Sequence, residues 1–140
     1  MARSTTSIRL SDELRDQLVA AATAEGTTVT ELIERFASEG LATAAHPGIV
    51  FKPGPSGRRA ALAGGPDVWE VIDALRHLRG SEAKRVRELS RLLEIHERQI
   101  VVAINYAAAH REVIEERIRL NEEAAAQVER IAGERERLLA

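Results

Sequence analysis

Thr5-Thr6-Ser7-Ile8-Arg9-Leu10 is the stretch whose reading decides the fold, together with Ser11 and the amphipathic segment that follows it. Thr6, Ile8 and Leu10 alternate with Thr5, Ser7 and Arg9. A strand with this alternation offers one face to a core and the other to polar contacts. So short a strand leaves its backbone donors and acceptors unpaired, which is costly. Pairing with the same strand of a second copy removes that cost and makes an antiparallel ribbon. A ribbon of this kind fits the major groove of DNA.

The residues downstream extend the pattern. Ser11 is suited to cap a helix that begins at Asp12. Leu14, Leu18, Ala21 and Ala22 recur at helical spacing, and Gly26 ends the run as glycine does at a left-handed C-cap. Thr28-Val29-Thr30-Glu31 reads as a capping box for a second helix. That helix carries Val29, Leu32, Ile33, Phe36, Ala37 and Leu41 on one stripe. The order of strand, helix, glycine turn and helix resembles the ribbon-helix-helix family of DNA-binding dimers, the family of the Arc and methionine repressors. The resemblance implies that Thr5, Ser7 and Arg9 read bases, with Arg3 beside them. It implies that Thr28 and the amides after it contact backbone phosphate, and that the chain is an obligate homodimer or a higher assembly. The alternative is a surface strand on an ordinary helical domain.

Composition sets the bounds. A chain of 140 residues is one domain or two small ones. Only four residues are aromatic, and alanine and leucine fill the core positions, so the fold is expected to be mainly α. With no cysteine there is no disulfide or thiolate chemistry. Met1-Ala2-Arg3-Ser4 leads into polar residues, and no apolar run reaches the roughly 18 residues of a membrane span, so no membrane is implied and a cytoplasmic protein is expected. The formal net charge is −2, and residues 1–42 carry four arginines against seven acids. The acids lie on the two helices while Arg3 and Arg9 flank the strand. A dimer would therefore carry a positive ribbon on a negative body, with modest, salt-dependent affinity for operator DNA helped by dimers bound side by side.

Residues 43–66 change character. Thr43-Ala44-Ala45 reads as a short linker and His46-Pro47-Gly48 as a turn. Ile49-Val50-Phe51 and Arg58 through Leu62 read as the strands of a hairpin around Pro53-Gly54-Pro55-Ser56-Gly57. Lys52, Arg58 and Arg59 make this segment basic, which fits either a second nucleic-acid or partner contact or simply a solvated hairpin.

The remainder reads as helix. Pro66 suits a first helical turn, after which Val68, Trp69, Ile72, Leu75 and Leu78 mark an amphipathic helix closed by Gly80. A helix from about Glu82 to Leu93, the turn Glu94-Ile95-His96 and a helix from Glu97 give a helix-turn-helix outline without the usual turn glycine. Ile95-His96-Glu97-Arg98-Gln99-Ile100, then Ala103-Ile104-Asn105-Tyr106, Glu112 and Ile114, resembles a small winged-helix-like domain over roughly 46–118. That family often lies beside toxin genes and sometimes inside antitoxins. In this sequence His96 stands where the family has a capping Ser or Thr.

From Arg111 to Ala140 the chain reads as one charged helix with a thin apolar stripe. Such a helix forms a coiled coil, lies in a partner's groove, or frays in solvent. Catalysis has little support. His46, His77, His96 and His110 show no metal-ligand spacing, and no nucleophile elbow or phosphate loop is present. No catalytic residue, metal or cofactor is expected.

Together these readings give a ribbon-helix-helix DNA-binding and dimerisation domain over 1–42. A hairpin plus helix-turn-helix-like domain follows over 46–110, and a partner-binding helical tail over 111–140. The resemblance implies an antitoxin that represses its own operon and neutralises a cognate nuclease toxin. Ile114, Ile118, Val128 and Ile131 would fill a groove of that toxin, with Arg117, Arg119 and Arg130 beside the stripe aimed at its acids. The rivals are a stand-alone repressor or partition regulator whose C-terminal part oligomerises or senses a ligand, and a helical adaptor.

Overall fold

The computed structural model describes residues 2–140. Among the described residues six helices and one two-stranded antiparallel sheet follow in the order α1 (Asp12–Glu25), α2 (Val29–Ala45), β1 (Ile49–Lys52), β2 (Arg59–Leu62), α3 (Val68–His77), α4 (Glu82–Leu93), α5 (Glu97–Ala109) and α6 (Arg111–Leu139). The fold is mainly α, and the chain divides into two compact units, Met1–Leu41 and Ala42–Ala140.

The first unit is a capped helical pair. The Ser11 hydroxyl accepts from the Leu14 amide at 3.2 Å and starts α1. Gly26, at φ 68°, ends it. The Gly26 amide bonds to the Thr23 carbonyl at 3.3 Å and the Thr27 amide to the Ala22 carbonyl at 3.0 Å, the two bonds of a Schellman turn. Only a residue tolerant of positive φ closes the helix this way. Thr28 caps α2, its hydroxyl accepting from the Glu31 amide at 3.1 Å. Arg35 then clasps Glu25 with both nitrogens of its fork, at 2.7 and 3.2 Å, tying α2 to the end of α1. Leu18, Ala22 and Leu32 are buried, with Leu10, Ala21, Val29 and Ile33 packed around them.

Residues 2–10 have no regular secondary structure in the single chain, so the strand read at 5–10 has no partner strand to pair with. Ile8 and Leu14 of the expected core are exposed, as are Phe36 and Leu41 from the α2 stripe.

The second unit has the larger core. β1 and β2 pair in the register Ile49↔Leu62, Val50↔Ala61, Phe51↔Ala60 and Lys52↔Arg59. Ile49 and Leu62 point into a cluster with Val68, Val71 and Leu75 of α3, Val86 and Leu89 of α4, Ile100, Ala103 and Tyr106 of α5, and Ile114 and Ile118 of α6. Lys52 and Arg59 stand opposite each other, and each finds its own acceptor. Lys52 Nζ donates to the Gly65 carbonyl at 2.9 Å, and Arg59 Nη1 to the Pro53 carbonyl at 2.8 Å.

Three local readings change. Residues 43–45 are the last turn of α2 rather than a linker, and Ala42 packs on the core of the second unit. Pro66 lies outside its helix: Asp67 is the N-cap, and its amide donates to Glu70 Oε2 at 3.0 Å. α3 stops at His77, before Leu78 and Gly80. The missing turn glycine between α4 and α5 is replaced by Glu94, whose φ of 54° places a non-glycine residue in the left-handed region. Ser90 helps hold it there, its hydroxyl donating to the Ile95 carbonyl at 2.6 Å. His96 does the work of the capping serine. Its Nδ1 accepts from the Arg98 amide at 3.0 Å, while Gln99 Oε1 accepts from the His96 amide at 3.0 Å.

Candidate functional site

Arg3, Thr5, Ser7 and Arg9 all lie exposed on the segment without regular secondary structure ahead of α1. Arg3 reaches Glu34 of α2 at 3.8 Å, a loose pair between two exposed side chains that contributes little on its own. Among the described residues no carboxylate pairs with Arg9 within ion-pair distance. Its long donor-rich side chain is therefore available to an external acceptor.

Thr28 sits at the N-terminus of α2, where exposed amides favour an anion. An anion is already there. The Glu31 carboxylate accepts from the Thr27 hydroxyl, and bonds from Thr27 first and the Thr28 backbone second hold its pKa below the ordinary carboxylate value. A phosphate approaching Thr28 meets this charge as well as the amides. Sequence reading found the capping box without this electrostatic consequence.

Of the seven tail residues, the four apolar ones divide into two groups. Ile114 and Ile118 are buried in the core of the second unit. Both are thus engaged inside their own chain, and α6 is packed through Ile118 rather than detached from Arg111 onward. Val128 and Ile131 are exposed, at 67% and 49%, as is Leu138 at 84%. Arg119 is engaged by Glu116 and Glu123, and Arg130 by Gln127. Arg117 donates to the Ser56 hydroxyl in the hairpin turn.

Two side-chain clusters escaped the sequence reading. In the first, buried Asp67 accepts from Arg59 Nε and, at 3.2 Å, from the Trp69 indole. The isolated bridge between Ala61 and Asp67 brings β2 against this helix cap. The result is a polar seam beside a cleft of about 530 Å³ lined by the hairpin turn, α3 and α6. The only sequence signal was a helix-capping aspartate two residues before the sole tryptophan. In the second cluster, Tyr106 stacks on His110 with ring centroids 4.3 Å apart, and His46 meets both edge-on, at 5.3 and 5.9 Å. Burial raises the pKa of the Tyr106 phenol. His46 and His110 are far apart in sequence, so spacing could not reveal their meeting. Among the described residues no group of three or more His, Cys, Asp or Glu side chains is placed to hold a metal ion.

The geometry defines a mainly helical chain of two units, one small and half-exposed, one with a full core. No family model matches it, and neither a curated protein nor a solved structure does. Among the described residues no helix is long and apolar enough to cross a membrane.

Proposed function

We propose that this chain is a DNA-binding regulator of the ribbon-helix-helix type. Its N-terminal unit forms an obligate homodimer on double-stranded operator DNA, and its C-terminal unit binds and neutralises a protein toxin. The observation that carries the reading is the state of the N-terminal unit. Among the described residues two well-capped helices share a core of only three buried side chains, while a segment without regular secondary structure precedes them and Ile8, Phe36 and Leu41 stand 57%, 50% and 73% exposed. So small a core does not stabilise a monomeric unit. A second copy would pair the segment with its twin and cover the exposed apolar side chains.

In this arrangement Thr5, Ser7 and Arg9 face the base edges, with Arg3 at the margin and Thr28 near the phosphates. The helix-turn-helix-like part, 46–110 with its hairpin, is a winged-helix-like body that carries α6. The toxin contact belongs to the outer half of that helix, Val128, Arg130 and Ile131 with Leu138, since Ile114 and Ile118 are occupied. The function is binding, without a catalytic step.

The test is a mobility-shift titration on the DNA upstream of the gene. Arg9→Ala is expected to lose about 1–3 kcal/mol per base contact, counted twice in a symmetric dimer. It should leave the melting curve unchanged. The transition itself is expected to rise with protein concentration. Equal operator affinity of Arg9→Ala and parent would overturn the base-reading role. A second reading, a repressor that senses a small ligand, is favoured by the cleft beside Trp69.

A further inference from the structure

The cleft of about 530 Å³ in the second unit has walls of two kinds. Trp69, Pro55 and Leu120 make it apolar, while Arg117, Ser56 and Asn121 supply hydrogen-bonding groups. Its charges balance in number, Arg59 and Arg117 against Asp67 and Glu70, but they are not all paired. Arg59 and Asp67 are bonded to each other, so that pair presents little net charge. Glu70 accepts from the Asp67 amide through one carboxylate oxygen. Arg117 donates only to the Ser56 hydroxyl, and among the described residues no carboxylate pairs with it. A guanidinium carries five N–H donors in a fixed fork, and Arg117 uses one of them on a neutral partner. A cation in a partly apolar cleft with donors to spare matches a carboxylate, which a guanidinium binds with two parallel bonds.

We propose that this cleft binds a flat monocarboxylate. The Arg117 fork, with Ser56 and Asn121 beside it, takes the carboxylate, and the planar body lies along the indole of Trp69 with Pro55 and Leu120. The lining charges balance, two arginines against two carboxylates, and Arg117 is the cation with donors to spare while Glu70 is a second carboxylate in the same lining, so a dianionic phosphate meets more repulsion there than a single carboxylate does. The shape selects a flat body, because an indole face favours offset stacking. The same chemistry is offered by a free aryl carboxylic acid and by the terminal carboxylate of a polypeptide that ends in an aromatic residue. This inference concerns the second unit alone and stands whether or not the first unit binds DNA.

Trp69 is the only tryptophan in the chain, so its fluorescence reports on this cleft directly. Benzoate and phenylacetate are titrated into the full chain. Benzamide, inorganic phosphate and a short peptide ending in phenylalanine, with its C-terminal amide as control, are run in parallel. The aryl carboxylates are expected to give a saturable change, and benzamide and phosphate none. Tighter binding of the peptide acid than of the free acids assigns the source to a polypeptide terminus; the reverse assigns it to a small molecule. Arg117→Ala is expected to weaken binding roughly 10- to 100-fold, the loss typical of a hydrogen-bonded charge, with a smaller loss for Arg117→Lys. Glu70→Gln keeps an acceptor for the Asp67 amide and removes the repulsion, so it should tighten carboxylate binding and admit phosphate. A response equal for benzoate and benzamide, the same affinity in Arg117→Ala, or no saturable response to any carboxylate overturns the proposal.

Discussion

Replacing Asp67 by alanine removes three interactions from one place. The side chain is only 10% exposed and bonds to Arg59, itself 30% exposed, and to the Trp69 indole at 3.2 Å. It also occupies the N-cap of α3, whose buried Val68 and Val71 belong to the main core. Loss of an N-cap costs about 1 kcal/mol. Leaving the mostly covered Arg59 guanidinium without its charge partner costs about 2 kcal/mol more, toward the low end for a charged bond because the Arg59 head keeps its contact with the Pro53 carbonyl. The indole N–H loses a neutral-donor bond of about 1 kcal/mol. These effects share atoms, so they do not add fully, and the expected total is about 3 kcal/mol. At roughly 4–8 °C per kcal/mol for a unit of this size, the second unit should melt well over 10 °C lower. Thermal unfolding followed by Trp69 fluorescence measures this. Asp67→Asn, which keeps an oxygen for the cap and the indole, should fall between variant and parent. If Asp67→Ala shifted the midpoint by no more than a typical exposed substitution, the Arg59–Asp67–Trp69 seam would not be holding the hairpin to α3.

Two further outcomes follow from α6. A chain ending at Ala126 keeps Ile114 and Ile118 in the core and should melt and bind operator like the parent while losing neutralisation of the toxin; growth rescue by this fragment would remove the outer helix from the partner contact. Arg76 clasps Glu115 and thereby fastens α3 to α6, and that bond holds the Glu115 carboxyl below its ordinary value of 4.5. A depressed carboxyl contributes stability that is fully present above about pH 4.5 and is lost as pH falls through the folded value. Denaturant midpoints should therefore drop more steeply on acidification in the parent than in Glu115→Gln, and parallel curves would show that the clasp adds nothing.

The helices were legible because their signals are local. Ser11, Gly26 and the Thr28–Glu31 pair each act within a few residues, and each is found in its expected role in the structure. The hairpin was legible for the same reason, its turn residues lying between two apolar runs. The misplacements came from competition between a local signal and tertiary packing. Thr43, Ala44 and Ala45 have no strong helix-ending signal, and Thr43 is held by a bond to the Ile49 carbonyl at 3.1 Å, so the helix runs on to the turn. Pro66 satisfied the rule for a first helical position, but Asp67 beside it was the better cap and had a buried partner in Arg59.

The tail shows where periodicity stops being informative. Ile114, Ile118, Val128 and Ile131 all lie on one reading of the apolar stripe, and nothing in their spacing separates the first two from the last two. What separates them is whether another element of the same chain is near enough to cover them. Ile114 and Ile118 meet that condition because Arg76 draws α3 against the first turns of α6, while Val128 and Ile131 lie beyond its reach. One continuous helix thus carries an inner half that completes the core and an outer half that does not. A stripe left uncovered on a rigid helix retains its hydrophobic driving force for whatever molecule can cover it. Substitutions at Val128 and Ile131 are therefore expected to act on association, and substitutions at Ile114 and Ile118 on folding, although the sequence presents them as one series.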